Sequence, residues 1–274
     1  MNIFRQRYSI AEICRAFGYS RQGYYKRREV EGRRVLRENM IIEKVKEYRK
    51  RQPRVGVRKL QRMLKNDRIK LGRDRLFNLL RSRDMLVKRK KNTIRTTYSY
   101  HRFYKYRNLI SDLKITLPNQ VFVSDITYLD TYEGYCYLSL ITDVYSRRIV
   151  GYCVSESLSI DGSMKALRMA MKKVTNPKEL IHHSDRGIQY CSNRYAGYLN
   201  RKGVNISMTE KDHVYENALA ERVNGILKDE FLLGERLSSI KVADRMAKEA
   251  IEIYNNERLH TSLDYVTPCD KYAA

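Results

Sequence analysis

The chain has 274 residues, is 42% hydrophobic and carries a formal charge of +24, enough apolar material for one large domain or two to three small ones. The charge is uneven: residues 1–110 hold 34 Lys or Arg against 9 Asp or Glu, and residues 111–274 hold 21 against 22. A cationic half this concentrated points to a polyanion, in the first place nucleic acid, and other classes are excluded: no apolar run approaches the ~20 residues that span a bilayer, and the five cysteines contain no CxxC pair or zinc-ligand spacing. With no signal-peptide core at the start, the expectation is a reduced, cytoplasmic protein with no membrane partner.

In chain order, residues 1–50 predict a helix-turn-helix followed by a charged connecting helix. Ile10, Ile13 and Phe17 recur at helical spacing behind Ser9, a natural N-cap. Gly18 suits the turn and Ser20 starts a second helix. Arg21, Gln22, Tyr24 and Lys26 stand near its front, where a recognition helix enters a major groove. The plainer alternative is a helical hairpin that only packs. Residues 51–90 predict a second such unit. Val57, Leu60, Met63 and Leu64 share one helix face, Leu76, Leu79 and Leu80 another, and the run LGRD turns the chain between them. Arg73 and Arg75 are its DNA-contact candidates. Residues 91–117 form a basic linker, either lying along DNA or a disordered tail.

The character changes at Leu117-Pro118, and residues 118–274 predict an α/β layered core. Strands are expected at 121–129, 135–146, 147–157, 179–185 and 204–209. Helices are expected at 161–174, 192–203 (ending on Gly203), 217–231 and 239–257.

Three carboxylates in this core carry the functional argument. Asp125 interrupts the apolar run VFVSDITYL, where a buried unpaired carboxylate is costly. Asp185 closes the run LIHHSD, at the carboxyl end of its strand, where α/β sheets place their chemistry. Glu221 follows after 35 intervening residues, on a helix whose apolar stripe is Leu219, Val223 and Ile226. Asn217, Asn224, Gly225 and Lys228 share the Glu221 side, and Gly225 leaves room beside the carboxylate. Three converging carboxylates repel one another unless cations lie between them. Oxygen-only ligands suit Mg²⁺ or Mn²⁺, and a pair of such ions acts on phosphodiesters. Taken singly, each acid is more often a structural hydrogen-bonder or a solvated group. Asp143 is excluded: if the hairpin turns near Tyr132, Asp125 pairs near Ser139 and Asp143 lies about 13 Å further along by strand rise. His183 is as well suited to packing at the strand end as to positioning the site.

The runs SDITYL, HHSDRGIQYCS and YENALAERVNGILKDEF, with the 35-residue interval, resemble the DDE core of retroviral integrases and insertion-sequence transposases. The closing YNNERLHTSLDYVTPCDKY resembles the C-terminal signature of the insertion-sequence-three family, and the whole chain is similar to its second-frame (OrfB) product. The chain departs from the family at Phe122, where Trp is frequent, and at Glu216, where Asp is usual. The resemblance implies a ribonuclease-H-like core, a five-stranded mixed sheet flanked by helices, preceded by all-α units. It implies DNA cleavage and strand transfer at element ends with two Mg²⁺ ions. It casts Asp125, Asp185 and Glu221 as the catalytic, metal-binding triad and Lys228 as a basic residue near terminal DNA. It implies double-stranded DNA and further copies of the chain as partners. The family's first-frame (OrfA) segment carries a leucine zipper, and no sustained heptad is present here, so the resemblance implies either that this segment joins as a fusion or separate chain or that the chain works without it. The rival reading is a non-catalytic regulator of transposition that keeps the fold.

Overall fold

The computed structural model describes residues 8–88, 102–210 and 217–274. Serine caps start the first two helices. In α1 (Ile10–Ala16), Ser9 Oγ accepts from the Glu12 N–H at 3.3 Å, and the Glu12 carboxylate accepts the Ser9 N–H at 2.7 Å. Gly18, at φ +70°, makes the turn. Ser20 then caps α2 (Arg21–Arg51) through the Gly23 N–H at 3.0 Å. The expected basic helix and charged connector prove to be one helix of 31 residues. Pairs spaced three or four residues apart, among them Glu29–Arg33, Arg34–Glu38 and Glu43–Lys46, support a helix with little apolar content. It stops at Gln52, immediately before Pro53.

The second half of α2 packs with α3 (Val57–Asn66) and α4 (Arg73–Ser82). Ile41, Ile42, Val45, Val55, Leu60, Leu64, Leu76, Leu79 and Leu80 make their shared core. The described end of the linker, 102–117, forms no helix or strand. It is tied to the sheet through the Leu109 N–H, which donates to Ser207 Oγ at 2.9 Å. Residues 89–101 of the expected linker lie outside the described residues.

The core is a five-stranded mixed sheet in the order β3-β2-β1-β4-β5. Its strands are β1 (Val121–Thr131), β2 (Gly134–Asp143), β3 (Ile149–Ser155), β4 (Ile181–Ser184) and β5 (Asn205–Met208). The first three form an antiparallel meander; β4 and β5 run parallel to β1. Alternation along β1 splits the core between the two faces. Phe122 packs with α5 (Ile160–Met171), the short α6 (Ile188–Cys191) and α7 (Asn193–Lys202). Leu129 packs on the other face with α8 (Ala218–Glu230) and α9 (Ile240–Asn256). Gly203, at φ +73°, ends α7 as expected. Neither α6 nor the closing α10 (Pro268–Ala273) is marked by a local sequence pattern. Among the described residues no helix is long and apolar enough to cross a membrane.

The hairpin turns at Tyr132–Glu133, as expected, and Asp125 pairs with Leu140, next to Ser139. Gly151 of β3 lets α5 lie directly on the sheet: a Cβ there would stand 2.2 Å from the Ala166 carbonyl oxygen, which is backbone and cannot swing away. Gly151→Ala is therefore expected to cost about 1–3 kcal/mol or more in a denaturation experiment. An unchanged midpoint would show that α5 shifts freely.

Candidate active site

The parallel register of β1 with β4 sets Ser124 opposite Ser184. The residue that follows each is an aspartate, so Asp125 and Asp185 emerge side by side from the ends of the paired segments, ~4.8 Å apart if strand spacing continues. Asp185 lies one residue beyond the end of β4, and its Oδ1 accepts the Gly187 N–H at 3.0 Å.

Helix α8 brings the third carboxylate. Two asparagines pin it to β1: Asn217 Nδ2 donates to the Ser124 carbonyl at 3.2 Å, and Asn224 Nδ2 donates to Asp125 Oδ2 at 2.7 Å. The Ile126 N–H donates to the other oxygen of Asp125 at 2.9 Å. Both asparagines are buried and spaced i, i+7, on the same stripe as Val223 and Leu227. Leu219, expected in that stripe, is only half-buried, and Ala220 and Leu227 take its place. Glu221 stands exposed one turn before Gly225, where a Cβ would meet nothing within 4 Å.

Electrostatics tie the three acids together. Burial pushes the Asp125 carboxyl up to about 7, the charge of Asp185 adds to the push, and Glu221 adds a smaller one; Asn224 and the Ile126 N–H resist it. The carboxylates do not yet form a cage: among the described residues, no three His, Cys, Asp or Glu side chains converge closely enough to hold a metal ion as they stand. The donor chemistry nevertheless fits a hard divalent cation. All three candidate ligands are carboxylates, and the uncompensated charge on Asp125 is what such an ion would relieve.

Lys228 belongs to this neighbourhood. Its Nζ lies 4.3 Å from the Tyr128 ring centroid; burial lowers its pKa, and Asp125 is the first charge to oppose that. The histidines before Asp185 are structural. His182 Nε2 shares hydrogen bonds with Ser124 Oγ (2.7 Å) and Tyr195 OH (2.9 Å), and burial holds its pKa down to about 3. His183 Nδ1 bonds Ser207 Oγ of β5 at 2.9 Å. Asp143 sits opposite Phe122 and accepts from the N–H groups of Asn119 and Ser146 and from the Ser146 hydroxyl, a fully structural use.

The expected DNA contacts lie outside the core that holds the acids. On α2, Arg21, Gln22 and Lys26 are exposed, and Tyr24 is half-buried against Tyr25 with ring centroids 5.4 Å apart. On α4, Arg73 pairs with Asp74 at 2.9 Å and Arg75 with Glu38 at 3.6 Å. Glu216 falls outside the described residues. Sequence reasoning placed Asn224 on the correct helix but missed its bond to Asp125. The available signal was the Asn217–Asn224 spacing within a buried stripe.

The integrase core domain family matches residues 116–213, and a second integrase core model matches residues 202–268. A 31 kDa protein of insertion element IS600 from Shigella sonnei is 39% identical over 261 residues, covering 93% of this chain and 96% of that protein. Transposase InsF of insertion sequence IS3A from Escherichia coli K12 is 29% identical over 267 residues, covering 95% and 93%. A chain of the simian T-cell lymphotropic virus intasome, 18% identical, shares the fold with a TM-score of 0.50 over 80% of this chain and 71% of that one.

Proposed function

The chain belongs to the integrase-core transposases of IS3-type insertion sequences, and from that membership we propose that Asp125, Asp185 and Glu221 are its catalytic, metal-binding triad. As a DDE polynucleotidyl transferase, it would break and join DNA phosphodiesters at the element's ends. The observation that carries the site assignment is the β1–β4 register, which sets the two aspartates side by side under a helix pinned to β1 by Asn217 and Asn224.

Two Mg²⁺ ions, or Mn²⁺ in their place, would supply activation of the attacking oxygen and charge stabilisation at the leaving one. The protein's own residues do the rest. Asp125 and Asp185 offer carboxylates from rigid strands, and Asn224 fixes the rotamer of Asp125. Glu221, exposed on α8, would complete the ligand set, and the open space over Gly225 leaves room for a phosphate. Lys228, one face with Glu221 on α8, adds positive charge beside the strand being cut. The helical units at 1–50 and 51–90, with Arg21, Gln22, Tyr24, Lys26, Arg73 and Arg75, grip double-stranded DNA outside the cut. Synapsis of two ends calls for a homo-oligomer, and a first-frame segment joins it as a fusion or a separate chain.

The test uses the full chain with labelled duplex carrying the element's end. Nicking or joining that appears with Mg²⁺ or Mn²⁺ and stops with a chelator is the expected result. Tight DNA binding without chemistry, with or without the first-frame segment, would instead establish a regulator.

A further inference from the structure

Of the four cations of α3, Lys59 is paired with Glu230 and the other three share one exposed face. On α2 and α4, Arg33, Arg34, Lys46, Arg73 and Arg75 each meet an acid within 4 Å, whereas Arg21, Lys26 and Arg37 of α2 are exposed with no acid that close among the described residues. On α3, Arg58, Arg62 and Lys65 recur at i, i+4, i+7, opposite the buried Leu60 and Leu64. All three are exposed, and no ion pair to any of them occurs among the described residues. With Lys70 they line a concavity of about 540 Å³ that has no acid on its wall. Tyr265 closes that wall, its ring 6.0 Å from the Arg62 guanidinium carbon. The turn presenting it is strained, with Asp264 and Tyr265 at φ +53° and +62°, and is held by the Tyr265 N–H donating to the His260 carbonyl at 2.8 Å.

Arg58 also lines a second cleft, of about 890 Å³, between the α3–α4 pair and α8. Arg54, Lys88 and Arg222 stand in it. Of its three acids, Glu230 is held by Lys59 and Arg258, Asp74 by Arg73, and only Asp229 remains to offset the other cations. Arg222 directly follows Glu221 on α8, so the helix face lining this cleft adjoins the face that carries Glu221, Gly225 and Lys228.

We propose that the two clefts form one track for a DNA phosphodiester backbone, entered at Lys65 and Lys70, crossing at Arg58 and delivered by Arg222 to the flank of the helix that carries Glu221. The track rests on the reading that this chain acts on DNA. It differs from the recognition-helix candidates in being sequence-blind: a row of unpaired cations at helical spacing meets phosphates, not base edges.

The test measures binding of the full chain to two duplexes, one with the element's end and one unrelated, across a salt series. Wild type is compared with the triple variant Arg58→Ala/Arg62→Ala/Lys65→Ala and with Arg58→Lys/Arg62→Lys. Each lost phosphate contact removes roughly 0.9 from the slope of log affinity against log salt. The alanine variant is thus expected to lose roughly 2–3 from the slope, and at least about tenfold in affinity, equally on both duplexes. The lysine variant keeps the wild-type slope, and thermal midpoints stay level. An alanine variant with the wild-type slope would overturn the track, as would a slope lost equally by the lysine variant. A wild type that neither binds nor cuts DNA would defeat the transposase reading itself, whereas a wild type that does both beside an unaltered alanine variant would defeat only the track.

Discussion

Asp125→Asn is expected to make the cation-free protein more stable at pH 8 while ending its strand chemistry. The carboxyl is pushed up to about 7 from an ordinary 3.8, first by burial and then by Asp185. A raised carboxyl pKa means that the folded state binds the proton more tightly than the unfolded state does. This contribution to stability is fully present below about 3.8 and is lost as pH rises through about 7. Above that, the fold carries an uncompensated charge worth roughly 2–4 kcal/mol. The asparagine amide removes that charge and keeps an oxygen for Asn224, while its nitrogen gives up the bond from the Ile126 N–H. A rise in melting temperature of several degrees at pH 8, shrinking toward pH 5, is the expected outcome for a chain of this size. Millimolar Mg²⁺ should raise the midpoint of the wild type by mass action and leave the variant nearly unmoved. A variant less stable than wild type at pH 8 would show that the carboxylate is satisfied by the protein alone.

Glu230→Ala should be among the most damaging single changes outside the triad. Its carboxylate, at the end of α8, accepts from Lys59 Nζ of α3 at 2.8 Å and from Arg258 at 2.7 and 2.9 Å. Its own backbone carbonyl accepts the Arg54 N–H at 3.2 Å. Three distant stretches of chain therefore meet on one residue, and with them the helical unit meets the helix of Glu221. The Arg258 side chain is 4% exposed and that of Lys59 12%. Removing the acid leaves both cations buried without compensation, a loss of roughly 3–5 kcal/mol in chemical denaturation. Burial alone would raise the Glu230 pKa, but Arg258 and then Lys59 outweigh it and hold the group at about 2. Its stabilisation is present above about 4.5 and lost as pH falls toward 2. Lys59 responds differently: burial, and then Arg258, bring it down to about 8, so its ammonium is tolerated more than favoured. Lys59→Met should accordingly cost less than Glu230→Ala. A loss under 1 kcal/mol for Glu230→Ala would mean that the helical unit is held by its apolar contacts alone.

What could be read from sequence followed the range of the interactions. An aspartate breaking an apolar strand, a second ending a strand, and a helix with one apolar face are local patterns, and all three elements formed where expected. The strands came within a few residues of their expected bounds because apolar runs mark them. Continuity of α2 was hidden because its composition is polar and its support comes from charge pairs, not from a buried stripe. The run DTYEG with Gly134 marks the hairpin turn to within a residue, but the exact partner of Asp125, Leu140, is set by the ladder itself. The Asn224–Asp125 bond joins residues 99 apart, and the Lys59–Glu230 pair joins residues 171 apart. No local pattern encodes either contact; only the folded sheet brings them together.

The central claim is that Asp125, Asp185 and Glu221 act as one site. It is tested most directly by single-turnover cleavage of an element-end duplex in Mg²⁺ by four variants: Asp125→Asn, Asp185→Asn, Glu221→Gln, and Glu249→Gln as an exposed acid on α9. The first three should each lose about 10³-fold or more in rate, the cost of roughly 4 kcal/mol at the transition state, with DNA affinity retained, while Glu249→Gln cuts like wild type. Cleavage at near wild-type rates by any of the three would contradict the assignment.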